Sequence, residues 1–128
     1  MISHVYIGVT DFERALVFYS AVMAQLDLQL KFAEPAKSWA GWTSRAQPRP
    51  LFLIGRPFNG APHDPGNGQM TALLAPSRAA VDKAHATAIE HGATDEGAPG
   101  LRPQYHPNYY GAYFRDLDGN KLCICCHD

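Results

Sequence analysis

Cysteine is scarce and confined. The chain has three, all between Cys123 and Cys126. An odd number in one short segment builds no disulfide framework, and such usage fits a reducing compartment. An excess of either charge is also missing. Eleven basic residues face twelve acidic ones, for a net charge of -1. That balance gives no electrostatic reason to bind nucleic acid or an anionic membrane. No apolar run approaches the roughly 20 residues of a membrane span. The opening MISHVYIGV has no basic n-region and no small-residue cleavage site, so it reads as a strand and not as a signal peptide. Nucleotide motifs are lacking too. NGAPHDPGNG has the glycines of a phosphate loop without the G-x-x-x-x-G-K-[ST] order or its lysine, and no G-x-G-x-x-G leads from a strand into a helix. These absences set the expectation of a cytoplasmic protein with neither nucleic acid nor membrane as partner.

The 128 residues are the size of one ordinary domain, and 46% hydrophobic residues suffice for a core. Residues 2–9 are β-branched and aromatic enough for a strand. Alternation places Ile2, His4, Tyr6 and Gly8 on one face and Val5, Ile7 and Val9 on the other. The aliphatic set belongs to the core, so His4 and Tyr6 face solvent or a cleft. A helix is predicted over about 11–24, with Thr10 and Glu13 spaced as a capping box. Its apolar face is Phe12, Ala15, Leu16, Tyr19 and Met23. LDLQLKFA, SWAGWTS and PLFLIG are further short strands. RPFNGAPHDPGNGQ (56–69) is a connection rich in glycine and proline.

The pattern then restarts. QMTALLA reads as a strand, Ser77 as an N-cap, and RAAVDKAHATAIEHG as a helix ending at Gly92. LRPQYHPNYY is a turn-rich loop. GAYFRD and NKLCICC form a closing hairpin around Leu117–Asn120. Met70 follows His4 by 66 residues and Ser77 follows Thr10 by 67. Two copies of one βαββ(β) unit are therefore expected, over about 1–58 and 69–128 of a single domain.

HVYIGVTDFERALVFYSAVM, GNGQMTALLAPSRAAVDKAHATAIEHGA and YGAYFRDLDGNKL stand in that order across essentially the whole chain. Together they resemble the vicinal oxygen chelate superfamily, which includes glyoxalase I, the bleomycin-resistance proteins and the extradiol dioxygenases. The resemblance implies an α+β fold of two βαβββ modules whose curled mixed sheets form a cleft, completed in many members by a second subunit. It also implies, for the metal-dependent members, His and Glu ligands on the first strand of each module and on a last strand.

Carried over by position, those ligands fall on His4, Met70, Cys123 and, in LFLIG, Phe52. A methionine thioether is a poor ligand for zinc, nickel or magnesium, and Phe52 has no ligand atom. His4 and Cys123 alone make two ligands, where zinc needs at least three. The expectation is no cofactor; the alternative is a divalent metal on His4 and Cys123. On the last strand Cys123 and Cys125 face one way and Cys126 the other. In the loop, Arg102 suits a carboxylate or phosphate, and Tyr105 and Tyr109 suit stacking on a planar ligand. The expected ligand-binding set is His4, Tyr6, Phe52, Met70, Arg102, Tyr105, Tyr109 and Cys123, with His4 the candidate catalytic base. The expected function is a homodimer that binds a small organic ligand in its cleft. The alternative is a glyoxalase-like lyase or isomerase acting on a small oxygenated or thiol-conjugated substrate.

Overall fold

A computed structural model describes all of residues 1–128. The first half comprises β1 (His4–Gly8), α1 (Phe12–Ala24), β2 (Leu28–Glu34), a 3-10 turn (Pro35–Lys37), β3 (Trp39–Ser44) and β4 (Leu51–Gly55). The second comprises β5 (Thr71–Leu74), α2 (Arg78–Glu90), β6 (Thr94–Leu101), β7 (Tyr110–Arg115) and β8 (Lys121–Cys126). Each half folds as a four-stranded mixed sheet, in the orders β1-β4-β3-β2 and β5-β8-β7-β6. In each, the first strand lies parallel to the last, and the other neighbours are antiparallel. The helix supplies the crossover that parallel neighbours require. No strand of one sheet is hydrogen-bonded to the other sheet.

The α1 cap differs from the predicted one. Asp11, not Thr10, is the N-cap, and its carboxylate accepts from Arg14 N at 3.1 Å. The Thr10 N–H donates to Asp118 Oδ1 at 2.9 Å in the β7–β8 turn. In α2 the expected Ser77 cap is present, accepting from Ala80 N at 3.1 Å.

One core lies between the helices and the helix-facing sides of both sheets. It contains Phe12, Phe18, Tyr19 and Val22 of α1, Trp42, Phe52 and Ile54 of the first sheet, and Phe114, Leu122, Ile124 and Cys126 of the second. Tyr19 packs on Phe52 with ring centroids 5.2 Å apart, and Phe18 packs edge-on against Phe114 at 6.1 Å. So α1 touches both sheets. Cys126 serves the core as a small polarizable hydrophobe.

The opposite side of each sheet carries no helix. On the first sheet it presents His4, Tyr6, Gly8, Leu53 and Gly55, because β1 and β4 pair His4 with Leu51, Tyr6 with Leu53 and Gly8 with Gly55. On the second it presents Cys123, Cys125, Gly111 and Tyr113. β6 is absent from the sequence-based reading. TDEGAPGL has too few β-formers for a strand, and Pro99 argues against one. It is tolerated because β6 is an edge strand with an irregular register against β7.

Candidate functional site

The turn that closes the chain organises the site. Gly119 adopts φ +86°, a region open to glycine and strained for other residues, which lets the chain reverse between β7 and β8. Inside this turn lies the buried Asp116. Its Oδ1 accepts from Asp118 N and Asn120 N, both at 2.9 Å. Its Oδ2 accepts from Asn120 Nδ2 at 2.9 Å and from the hydroxyl of Tyr19 at 2.5 Å. Burial, foremost, and the Asp116 carboxylate beside it hold the Tyr19 hydroxyl well above its ordinary pKa. Asn120 Nδ2 also donates to Gly8 O at 2.9 Å, across to β1. Asn120 Oδ1 then stands 2.8 Å from His63 Nε2. A chain of hydrogen bonds thus runs from the core to an imidazole in the connection between the two modules.

His63 lines a cavity of about 770 Å³ with Tyr6, Lys37, Trp39, Arg56 and Phe58. Its floor is the helix-free side of the first sheet, where two glycines make the room. A Cβ at Gly8 would fall 2.2 Å from His63 Nδ1, and one at Gly55 would fall 2.1 Å from Tyr6 Oη. Neither ring could lie where it does over any larger residue. Tyr6 donates to Arg56 O at 2.6 Å, and burial raises its hydroxyl pKa. Trp39 donates to Glu34 at 2.8 Å, and Lys37 lies 3.5 Å from the same carboxylate. The walls carry two cations and no carboxylate, and the Arg56 guanidinium makes no ion pair. Phe58 projects fully into solvent at the rim.

A second cavity, of about 760 Å³, runs between the start of the first sheet and β5 and is mostly apolar. Ile2, Leu51, Met70 and Leu74 are among its walls.

The residues expected to form one site divide into separate places. Tyr6 lines the first cavity and Met70 the second. His4 lines neither; it is exposed, with Nδ1 3.0 Å from Ser3 Oγ. Phe52 packs against Tyr19, on the face opposite His4, and with Met70 also lines the second cavity. The strand register supplies the reason. Tyr6 pairs with Leu53 and Ala72 with Cys123, so the first-module counterpart of Cys123 is Leu53, one residue along. A shift of one residue turns a strand side chain to the other face.

Arg102, Tyr105, Tyr109 and Cys123 do come together, on the second sheet. Tyr109 Oη is 3.0 Å from Tyr113 Oη and 3.3 Å from Cys123 Sγ. Arg102 donates to Ala98 O at 2.8 Å and lies over the Tyr113 ring. Tyr105 meets Tyr109 edge-on, with ring centroids 5.0 Å apart. Cys123 is fully buried beneath them. A hydrogen bond from the Cys125 thiol, helped by the two tyrosine hydroxyls and Arg102 and opposed by burial, holds the Cys123 thiol below its ordinary pKa. The same bond, with burial, pushes Cys125 up.

A chelated metal needs at least three donors in this kind of site. The positions paired with His4 and Cys123 hold Leu51, Ala72 and Tyr113, and Met70 precedes β5. No three His, Cys, Asp or Glu side chains are grouped to hold an ion.

The connection at 56–69 gave little sign of function in the sequence. Its Arg56, Phe58 and His63, with Lys37 and Trp39 from the first module, are the part of the site that was missed. A histidine between prolines and glycines was the available signal.

The sequence profile of the Glyoxalase/Bleomycin resistance protein/Dioxygenase superfamily matches residues 1–124. The chain is similar to the crystal structure of a glyoxalase/bleomycin resistance protein from Albidiferax ferrireducens T118, at 38% identity and a TM-score of 0.88 over 98% of both chains. It is similar in fold to a glyoxalase/bleomycin resistance protein/dioxygenase family enzyme from Burkholderia phytofirmans PsJN, at 23% identity and a TM-score of 0.72 over 98% of both chains. A glyoxalase-related enzyme from Fulvimarina pelagi shares the fold at 14% identity and a TM-score of 0.73, over 98% of this chain and 87% of that one. No curated protein matches the chain.

Proposed function

The chain belongs to the Glyoxalase/Bleomycin resistance protein/Dioxygenase superfamily, and on that premise we propose that it binds a small organic ligand as a homodimer, without the metal of the family's chelating members. The carrying observation is the cavity over Gly8 and Gly55. At about 770 Å³ it has the size of a small-molecule site, with aromatic walls and a few polar groups aimed inward. Trp39 and Tyr6 offer faces for a planar ligand, and Phe58 stands where a ligand would cover it.

The dimer is supported by what one copy leaves bare. β1 and β5 are sheet edges. Ile2, Met70 and Leu74 stand 56%, 46% and 67% exposed beside them, along one apolar groove. Unpaired edges flanked by apolar side chains are what a second copy covers. The cytoplasm remains the proposed location, on the cysteine usage. A lyase reading with His4 as base has no support in its position, outside both cavities.

Native mass spectrometry and calorimetry test the proposal together. Expected are a mass of two chains, no stoichiometric zinc, nickel or iron, and binding of 2-naphthol that is lost in Trp39→Ala. A metal content of about one per chain that disappears in His4→Ala would overturn the metal-free reading. A monomer at micromolar concentration would overturn the dimer. Unchanged binding in Trp39→Ala would overturn the cavity assignment.

A further inference from the structure

The orientation of Asn120 fixes the state of His63. The Asn120 amide nitrogen faces two acceptors, Gly8 O and Asp116 Oδ2, both at 2.9 Å. Neither can donate, so this atom must be the NH2 group and the other must be the carbonyl oxygen. That oxygen lies 2.8 Å from His63 Nε2. Nε2 therefore carries a proton and donates. In the neutral ring the second nitrogen, Nδ1, is left with a free lone pair. Nδ1 is the atom that approaches Gly8 at the cavity floor. His63 lines the cavity, so this unpaired acceptor belongs to its floor.

The charged residues that line the cavity have one sign. Arg56 and Lys37 belong to the same walls, and no acid does. Glu34 already engages Lys37 at 3.5 Å, which leaves Arg56 as the principal free cation. Its planar fork suits a carboxylate or another oxyanion.

From these two features we infer that the cavity takes a planar organic anion that also bears a hydroxyl or N–H donor: the acid group on Arg56 and Lys37, the ring between Tyr6 and Trp39, and the donor on Nδ1 of His63. His63 is then the residue positioned to hold or accept a ligand proton, a part the sequence assigned to His4. Asn120 and Asp116 are positioning residues, because they set which nitrogen faces the ligand. The inference rests on the ligand-cavity reading and narrows it to a chemical class.

Three probes on one ring separate the parts: 6-hydroxy-2-naphthoate with charge and donor, 2-naphthoate with charge only, and 2-naphthol with the donor only. Isothermal titration is expected to rank the hydroxy acid tightest, 2-naphthoate about fivefold weaker, and 2-naphthol at least tenfold weaker, as fits a neutral and a charge-assisted contact. His63→Leu should erase the gap between the two acids. Arg56→Met should erase most of the gap between the hydroxy acid and 2-naphthol. Long-range proton–nitrogen NMR of the free protein should show His63 as the Nε2–H tautomer, a readout that needs no ligand. Equal binding of 2-naphthol and the hydroxy acid, or an Nδ1–H tautomer, overturns this inference and leaves the ligand-cavity reading standing. No binding of any of the three overturns both.

Discussion

Replacing Tyr19 by phenylalanine isolates the bond that joins the core to the site. The ring sits 1% exposed, wedged between Phe18 and Phe52 at centroid distances of 5.0 and 5.2 Å, and phenylalanine keeps that packing. Only the hydroxyl is lost, and with it a donor to a buried carboxylate. A hydrogen bond to a charged partner is worth about 1.5–3 kcal/mol. Asp116 is not orphaned, since Asp118 N, Asn120 N and Asn120 Nδ2 still donate to it. The cost should therefore lie in the lower half of that range, about 2 kcal/mol, or roughly 8 °C in Tm for a domain of this size. The pH dependence adds a second condition. The folded pKa of Tyr19 is raised. Below about pH 10 both folded and unfolded states keep the phenolic proton, and the full advantage of tyrosine is present. Above it the unfolded chain releases a proton that the folded chain retains, so wild-type stability falls and the gap to Tyr19→Phe narrows, by about 1.4 kcal/mol per pH unit. Urea unfolding followed by tryptophan fluorescence, at fixed protein concentration, measures both quantities. A gap under about 0.5 kcal/mol at pH 7.5, or one that widens above pH 10, would refute the reasoning.

Three further outcomes are expected. Gly55→Ala should cost about 1–2 kcal/mol and weaken cavity ligands at least tenfold, because its Cβ lands on Tyr6 Oη; calorimetry and urea unfolding check the two effects separately. Cys123 should be alkylated at a rate that levels off below the pH of about 8.5 at which an ordinary thiol is half ionised, and Tyr109→Ala should speed it by uncovering the sulfur; peptide mass spectrometry against Cys126 reads both, and a rate still climbing past that pH contradicts the lowered pKa. Leu74→Lys should turn the proposed dimer into monomers by light scattering, since the side chain is 67% exposed on the apolar edge; a variant that stays dimeric moves the interface elsewhere.

The fold was legible because its signals repeat. Two amphipathic helices with cap residues, a 66-residue offset and a terminal Gly-Asn turn are local patterns, and local patterns are what periodicity reads. The division of β8, with Cys126 in the core and Cys123 and Cys125 on the other side, followed from strand alternation alone. β6 was not legible, because an edge strand paired on one side needs few β-formers. The cap is Asp11 and not Thr10, since two cap-forming residues stand side by side and only the folded chain shows which one starts the helix.

The site was less legible, and for one physical reason. A strand side chain is assigned to a face by parity, and parity is certain only once the pairing is known. Placing the β4 position at Phe52 instead of Leu53 chose the residue that faces the helices over the one on the helix-free side. His63 escaped for the opposite reason: it belongs to no periodic element, so no pattern points to it. Its role comes from Asn120, which the turn places against Gly8, and from Gly8 itself, which is bare enough to let the imidazole lie over it. Those three residues come from β1, from the connection between modules and from the final hairpin. The turn belongs to the final hairpin, while His63 and Arg56 come from the segment between β4 and β5. Function that is particular to this chain is therefore to be sought in the 56–69 segment, where sequence changes alter the cavity walls without disturbing either sheet.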